Sequence, residues 1–210
     1  MNKKVITHSQ HIIFTRAIFR VVEAQVKYMK YDGNMSESLL RLNFERGDSV
    51  AMLVHNNEDD TILLTEQFKY PTYDPTGERG DGWIIEIPAG VVEKGESPEE
   101  TAQRELAEET GYQVHELNYI NTFYVSPGGT SERIILYYAR VTRKNQVGEG
   151  GGLEEEGEDI KVMHIPFDKA IEMMQNGKIP DAKSILALQW LQLRRLKKIQ
   201  QLKKAGGASS

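Results

Sequence analysis

The sequence contains no cysteine. This absence excludes disulfide bonds, thiolate nucleophiles and cysteine-based zinc sites, and it makes oxygen ligands the default for any bound metal. No apolar run approaches the roughly 20 residues that span a bilayer. The N-terminal stretch MNKKVITHSQHIIFTR also lacks a sustained apolar core followed by a small-residue cleavage site. These absences predict a cytoplasmic protein that is not bound to a membrane.

Positive charge is in the minority, since the chain has 26 Lys and Arg against 31 Asp and Glu and a formal net charge of -5. This balance gives no general attraction to nucleic acid. One basic stretch, LRRLKKIQQLKK, is the feature that would favour RNA or a membrane surface. Cations are favourable in the last turns of any helix, however, so we expect neither partner.

The pattern of apolar and turn residues predicts strands first and helices later. A loosely alternating segment over 12–31 runs into Asp32-Gly33, a tight-turn pair that indicates a β-hairpin, and further strands follow up to about residue 73. Strands are predicted at 114–125, 133–142 and 160–166. Helices are predicted near 167–176 and over 182–204, and GGASS reads as a frayed tail.

The segment from Gly90 to Tyr112, GVVEKGESPEETAQRELAEETGY, is crowded with glutamates. Ser97 has the sequence context of a helix N-cap, because Pro98 follows it and Glu100 stands three residues later, and Gly111 provides a stop signal. A glutamate-rich helix is by composition alone most often a solvated face. The segment therefore predicts a loop, a capped helix and a stop, and its function depends on the spacing of its acids.

Three glutamates of this helix, Glu105, Glu108 and Glu109, are separated by three and four residues and so project from one side. Like charges so close repel each other and raise each other's pKa. Arg104 can pair with Glu108 at the i,i+4 spacing, but one guanidinium cannot neutralise three carboxylates. Mg²⁺ commonly bridges carboxylates to phosphate oxygens, so the spacing predicts a magnesium site and a phosphate or diphosphate substrate.

The complete spacing resembles the Nudix box, the signature of the Nudix hydrolases, which cleave nucleoside diphosphates linked to another group. From Gly90 the pattern places Glu96, Arg104-Glu105-Leu106, Glu108-Glu109 and Gly111 at the fixed positions. Tyr112 departs from the usual aliphatic residue at the last position, which affects packing more than metal binding. The resemblance implies an α/β (α+β) fold, an α/β/α sandwich with a mixed sheet, preceded by a small antiparallel β domain. The resemblance implies three parts of the chain. Residues 1–47 would form an N-terminal β-sheet domain for dimerisation and substrate binding. Residues 48–204 would form the Nudix domain, and residues 205–210 a disordered tail.

A second motif lies outside the box. Pro127, within SPGGTSER, stands 16 residues beyond Gly111; taken alone, Ser-Pro-Gly-Gly is a turn. At this offset it resembles the marker of the ADP-ribose pyrophosphatase branch. The segments TEQFKYPTYD, EIPAGVVEKGES, GGGLEEEGEDI and NGKIPDAKSILALQWLQL are similar to that branch too. The implied reaction is attack of water on the adenosyl phosphorus, which releases AMP and ribose 5-phosphate. It would need Mg²⁺, or Mn²⁺ in its place, with more than one ion.

The resemblance assigns roles residue by residue. The metal ligands would be the backbone carbonyl of Ala89 and the carboxylates of Glu105, Glu109 and Glu158, with Glu108 completing the catalytic acidic face. Glu96 and Arg104 would orient these ligands. The base would be Glu156, on a Gly-rich acidic loop that closes over the substrate, and Glu154 and Glu155 are nearby alternatives.

Substrate-binding residues are implied as well. Arg41 and Lys69 match positions that hold cations near the terminal ribose and phosphates, Glu132 matches an acid near the reacting water or ribose, and Pro127 is the substrate marker. Lys69 departs from the commoner arginine and lacks its bidentate fork. Surface ion pairs are the competing interpretation for Arg41, Lys69 and Glu132. Phe19 is a candidate for stacking on adenine, with a core role as the alternative, and the family relation implies a homodimer.

Two other functions fit the same residues. The first is hydrolysis of a nucleoside diphosphate sugar such as GDP-mannose or UDP-glucose, because the box handles only the diphosphate. The second is a Nudix-fold sensor that binds ADP-ribose without cleaving it. Such sensors usually lose glutamates from the box, and none is missing here.

Overall fold

The computed structural model describes residues 3–206. The chain forms two compact units, one from the N-terminal residues up to Asp48 together with Phe123–Ile134, and one from Ser49–Thr122 together with the chain from Ile135 onward. The sequence-based division assigned residues 123–134 to the second unit, whereas their contacts place them in the first. Of the predicted tail, residues 205–206 continue the last helix and residues 207–210 lie outside the described part of the chain.

The first unit is a three-stranded antiparallel sheet in the order β1-β2-β3. Its strands are β1 Val5–Arg16, β2 Phe19–Tyr28 and β3 Leu39–Glu45. The predicted hairpin around Asp32-Gly33 corresponds to the antiparallel pair β2 and β3. The sequence does not predict a second reversal of the chain at Ala17 and Ile18, which divides the segment over 12–31 between β1 and β2. Ala17 has φ of 50°, a left-handed conformation that is more common for glycine and asparagine. Because neither residue occurs at this turn, the sequence gives no signal for it. Asp32 and Gly33 do form a turn, but it belongs to the longer connection from β2 to β3.

Residues 123–134 join this sheet through polar contacts with β3. The Phe44 amide donates to the Gly129 carbonyl over 2.8 Å, and the Asn43 side chain donates to Ser131 Oγ over 3.1 Å. Arg133 donates to the carboxylate of Asp48, which lies shortly after the end of β3. The first unit therefore includes the SPGG turn, which the sequence leaves far from the N-terminal strands.

The second unit is built on a seven-stranded sheet. Five strands follow the order β10-β5-β4-β9-β8, while β6 pairs with β5 and β7 pairs with β4. The strands are β4 Ser49–Asn56, β5 Thr61–Tyr73, β6 Asp81–Glu86, β7 Ala89–Val91, β8 Asn118–Tyr124, β9 Arg133–Val141 and β10 Lys161–Pro166. Every residue of β4 is buried, as expected of a central strand covered on both faces.

Three helices cover this sheet: α1 Pro98–Thr110, α2 Phe167–Gln175 and α3 Ala182–Gly206. On one face, alternate side chains of β4 share a buried cluster with α1 (Val50, Met52, Val54, Ala102 and Leu106). Successive strand residues point to opposite faces, and on the other face the β4 residue His55 bonds to Arg195 of α3. The sheet thus lies between α1 and α3, which confirms the predicted sandwich. No helix within residues 3–206 is long and apolar enough to cross a membrane.

Candidate active site

Helix α1 begins and ends as its sequence predicts. The Ser97 side chain accepts a hydrogen bond from the Glu100 amide over 3.3 Å, and the Glu100 carboxylate accepts one from the Ser97 amide over 2.8 Å. This reciprocal pair is a capping box, and Pro98 occupies the first helical position. Gly111 ends the helix with φ of 74°, a conformation that favours glycine. The helix therefore has a fixed register against the strands beside it.

Gly90, the first residue of the acidic segment, touches the carboxyl group of Glu105. A Cβ at this position would lie 2.0 Å from Cδ and 2.1 Å from Oε1 of Glu105. Only a residue without a side chain allows the carboxyl to occupy this space. Gly90 stands in β7, which pairs with the buried strand β4, so the sheet sets the place of the Glu105 carboxyl directly.

Glu105 and Glu109 are the acids of α1 that are most removed from water. Glu109 is 4% exposed, and its Oε2 accepts a hydrogen bond from the Ala89 amide over 3.1 Å. Burial raises the pKa of Glu109 well above its ordinary value, and repulsion from Glu86 and Glu105 adds to the rise. Burial likewise raises the pKa of Glu105 to about 7. The two carboxyls form an acidic pair beside the β7 backbone, and burial outweighs the nearby cations in setting their pKa.

Arg104 gathers the remaining acids of the segment. Its Nε and Nη2 donate to the two oxygens of Glu96, each over 3.1 Å, and its Nη1 lies 2.9 Å from Glu108 Oε2 and 3.0 Å from Glu105 Oε1. Thr101 donates to Glu96 as well. These contacts with Glu96 raise the pKa of Arg104 and lower that of Glu96, so both groups stay charged. Arg104 is thus positioned to fix the rotamers of Glu105 and Glu108.

Sequence reasoning missed a buried ion-pair network next to Glu109. Glu86, 7% exposed at the end of β6, accepts a hydrogen bond from Lys183 of α3 and lies 3.4 Å from the Lys69 ammonium. Lys183 also donates to Asp181 over 3.0 Å. The positive charge of Lys69 opposes the rise of the Glu109 pKa, so Lys69 lies close to the acidic pair. Lys183 and Glu86 stand 97 positions apart in the chain, and no sequence motif links them.

The Gly-rich loop after β9 packs against the C-terminal end of α1. The amides of Gly151 and Gly152 donate to the carbonyls of Glu109 and Glu108, over 2.9 and 3.1 Å. These carbonyls are among the four that a helix leaves without partners at its end. A Cβ at Gly150 would lie 2.5 Å from the Glu109 carbonyl oxygen, so the glycines here serve close packing. The loop that is expected to close over the substrate is therefore fixed to α1 at Gly151 and Gly152.

The glutamates of this loop fall in two environments. Glu154–Glu156 form an exposed 3-10 turn, which Gly157 ends with φ of 73°. Glu158 is half-buried, and its Oε2 accepts a hydrogen bond from the Leu153 amide over 3.1 Å. The negative charge of Glu158 contributes to the raised pKa of Glu105, so the loop brings Glu158 near α1. Glu156 lies on the solvent side of the turn.

Three predicted substrate residues, Arg41, Pro127 and Glu132, belong to the first unit. Arg41 is an exposed residue of β3. Pro127 lies in a turn in which the amides of Gly129 and Thr130 both donate to the Ser126 carbonyl over 3.0 Å. Glu132 Oε1 lies 3.6 Å from Arg46 Nε. Phe19 stacks on Phe44, with ring centroids 5.3 Å apart.

The candidate donor atoms at this site are the carboxylate oxygens of Glu105 and Glu109 and the backbone carbonyl oxygen of Ala89. Divalent metal ions such as Mg²⁺ prefer oxygen ligands of this kind. Within residues 3–206 no three Asp, Glu, His or Cys side chains stand close enough to hold an ion by themselves. Mg²⁺ does not require such a cage, because it usually keeps several waters and binds one or two carboxylates together with substrate phosphates. The buried pair Glu105 and Glu109 matches this smaller requirement, and an ion would relieve the repulsion between them.

Tyr112, the departure from the usual aliphatic position, is 1% exposed in the core cluster between α1 and the sheet. Its ring lies 5.8 Å from that of His164. The departure therefore changes packing beneath the helix, as the sequence predicts, and leaves the acidic face as it is.

Comparison with known proteins shows the family of the chain. The Nudix domain model matches residues 45–188. The chain is 37% identical over 178 residues to the ADP-ribose pyrophosphatase of Escherichia coli K12, covering 85% of this chain and 83% of that protein. It is 39% identical over 151 residues to the GDP-mannose pyrophosphatase of Cronobacter sakazakii, covering 72% of this chain and 76% of that protein. A GDP-mannose pyrophosphatase of Yersinia enterocolitica is 37% identical over 167 residues, covering 80% of this chain and 85% of that protein. The motif, the fold and these relatives together establish that the chain belongs to the Nudix hydrolases.

Proposed function

We propose that the protein hydrolyses the diphosphate of ADP-ribose to AMP and ribose 5-phosphate in a Mg²⁺-dependent reaction. The observation that carries this proposal is the acidic pair, in which Glu105 is packed against Gly90 and burial raises the pKa of both Glu105 and Glu109. Similarity to an ADP-ribose pyrophosphatase over 85% of the chain supports the choice of substrate. We place the reaction in the cytoplasm.

The family resemblance, together with the burial of Glu105 and Glu109, supports the following metal-binding roles. Glu105 and Glu109 would be the carboxylate ligands, with the Ala89 carbonyl and Glu158 as further oxygens, and more than one ion would be bound. Bound Mg²⁺ would lower the pKa of a water and neutralise charge on the diphosphate. Arg104, through its contacts with Glu96, Glu105 and Glu108, would hold the acidic face in one arrangement.

The proton from the attacking water would go to Glu156. Its exposed position on the 3-10 turn gives it freedom to approach a bound substrate, and Glu154 and Glu155 are its neighbours on the same turn. A carboxylate is a weak base toward free water, so most of the activation of the water must come from elsewhere in the site. The loop's anchorage at Glu108 and Glu109 would keep the turn within reach of α1.

Substrate contacts would come from Lys69 beside the acidic pair and from Arg41, Glu132 and Pro127 in the first unit. Lys69 lies 3.4 Å from Glu86 and is 40% exposed in its side chain, so it can turn toward a phosphate while remaining near Glu109. As an ammonium it would act as a point charge and would orient the diphosphate less strictly than an arginine.

A second candidate function is hydrolysis of GDP-mannose, which the similarity to a GDP-mannose pyrophosphatase at 39% identity favours. The acidic pair would act on the diphosphate of either compound. Measuring kcat/KM for ADP-ribose and GDP-mannose, with UDP-glucose alongside, distinguishes the two. We expect the value for ADP-ribose to be the highest; a higher value for either sugar nucleotide would replace the first proposal by the second.

We also propose that the protein is a homodimer formed through the first unit. Several large apolar side chains of its three-stranded sheet are exposed, among them Ile12, Phe14, Leu40 and Leu42. Exposed large apolar side chains gathered on one small sheet favour an interaction site. Light scattering coupled to size exclusion would give twice the 23.9 kDa chain mass for a dimer, and a monomer at micromolar concentration would contradict the proposal.

A further inference from the structure

A cationic face of α3 borders a cavity on the side of the sheet opposite α1. The cavity has a volume of about 660 Å³ and is lined by Arg140 of β9 and by one face of the helix (Trp190, Leu193, Arg194, Lys197, Lys198 and Gln201). We call this surface the basic groove. Its helical residues are spaced i, i+3, i+4, i+7, i+8 and i+11, so they share one side of the helix. A helix face that packs against the protein core carries mainly apolar residues at such positions. This face carries mainly cationic and polar residues, so it is not a core-packing face.

The cations of the basic groove lie outside the ion pairs found among the described residues. Within residues 3–206, Arg140, Arg194, Lys197 and Lys198 form no ion pair with a carboxylate. The neighbouring Arg195 differs, because it points the other way and bonds to Asp60. Arg194, Lys197 and Lys198, with Arg140 beside them, give this face a local attraction for an anion on a chain whose net charge is -5.

Aromatic rings stand beside these cations. The Trp190 and Tyr138 ring centroids are 5.3 Å apart, the Arg194 guanidinium lies 5.2 Å from the Trp190 ring, and the Arg140 guanidinium lies 5.8 Å from the Tyr138 ring. A second cavity of about 330 Å³ shares Arg140, Trp190 and Arg194, and Tyr119 and the acidic Glu116 also line it. Stacked guanidinium and indole planes suit a flat heterocyclic ring, while free ammonium groups suit phosphates.

We propose that the basic groove binds a nucleoside phosphate at a site separate from the acidic pair. The base would stack at Trp190 and Arg194, and the phosphates would contact Lys197, Lys198 and Arg140. The cavity volume falls in the range of small-molecule sites, roughly 300 to 1,000 Å³. The groove lies on the α3 face of the sheet, and Glu105 and Glu109 lie on α1 at the other face. Occupancy of the groove therefore does not require the acidic pair.

Trp190 provides the reporter for a test, because the chain has two tryptophans and Trp83→Phe leaves Trp190 as the only indole. ADP is titrated into this variant in EDTA, with AMP and inorganic phosphate as comparison probes, and indole fluorescence is recorded. We expect a saturable change with ADP that weakens when NaCl is raised from about 50 to 200 mM. Adding Arg194→Gln and Lys197→Gln should reduce the affinity at least about tenfold.

Two control variants separate this site from other effects. Lys144→Gln with Lys178→Gln removes the same charge from exposed positions outside the groove and should leave the ADP affinity unchanged. Glu109→Gln alters the acidic pair and should also leave it unchanged. Equal weakening in the Lys144 and Lys178 variant, or loss of the signal with Glu109→Gln, would overturn the proposal. So would no response to ADP, an equal response to inorganic phosphate, or displacement of ADP by an RNA oligonucleotide at far lower concentration.

Discussion

Substituting Gly90 by alanine perturbs the acidic pair without removing any of its atoms. The new Cβ would lie 2.0 Å from Cδ of Glu105, whereas non-bonded carbons keep about 3.5 Å or more, so the carboxyl must retreat by about 1.5 Å. A misplacement of about 1 Å can cost on the order of 10² in rate. We therefore expect kcat/KM for ADP-ribose to fall about 10²-fold. The free energy of unfolding should change little, because the displaced atoms are at the end of a flexible side chain. Alanine also lowers the conformational entropy of the unfolded chain, which stabilises the folded protein by roughly 0.4 to 1 kcal/mol.

The assay follows AMP by chromatography at saturating Mg²⁺, and urea unfolding gives the stability of the same samples. A double-mutant cycle with Glu105→Ala tests the route of the effect. If the alanine methyl acts by displacing the Glu105 carboxyl, Gly90→Ala should have no further effect once that carboxyl is gone. Wild-type activity in Gly90→Ala, or a full additional loss in the double variant, would refute the reasoning.

Four further outcomes are expected. Glu109→Gln should lower kcat at least about 10²-fold, in line with the loss of a group that stabilises developing charge, and near-normal turnover would contradict its assignment as a ligand. Glu156→Gln should abolish turnover while ADP-ribose still binds by calorimetry; unchanged kcat would move the base elsewhere on the turn. Because burial raises the Glu105 pKa to about 7, this carboxyl is mostly protonated at pH 6 and mostly ionised at pH 8. Calorimetry in buffers of different ionisation enthalpy should therefore show more protons released on Mg²⁺ binding at pH 6, and no release at pH 6 would contradict the site. Ser97→Ala should cost about 1 kcal/mol of unfolding free energy, and Ser97→Thr should retain most of it.

Features encoded within a few neighbouring residues could be predicted from the sequence. The limits of α1 depend on Ser97, Pro98 and Gly111, which act on the backbone directly beside them. The ion pair of Arg104 with Glu108 depends only on helical spacing. The Nudix family was also predictable, because its box is contiguous in the chain.

Features that depend on distant contacts could not be predicted. The hairpin at Ala17 has no turn residue in its sequence, so the pairing of β1 with β2 sets its position. Lys183 and Glu86 meet only because α3 packs on the sheet. The Gly-rich loop has the composition of a flexible linker, and its bonds to the end of α1 become visible only in three dimensions.

The Gly-rich loop after β9 has two parts, one bonded to the end of α1 and one that forms the exposed acidic turn. Residues 148–152 must match the spacing of the carbonyls at the end of α1, so an insertion or deletion there would break several hydrogen bonds at once. The exposed turn Glu154–Glu156 is held instead by bonds within the loop, since the amides of Glu156 and Glu158 both donate to the Leu153 carbonyl. Loop grafts between Nudix hydrolases should therefore be joined after Leu153 and before Glu158 and should keep the length of the turn, so that a new acidic turn replaces the old one on an unchanged support.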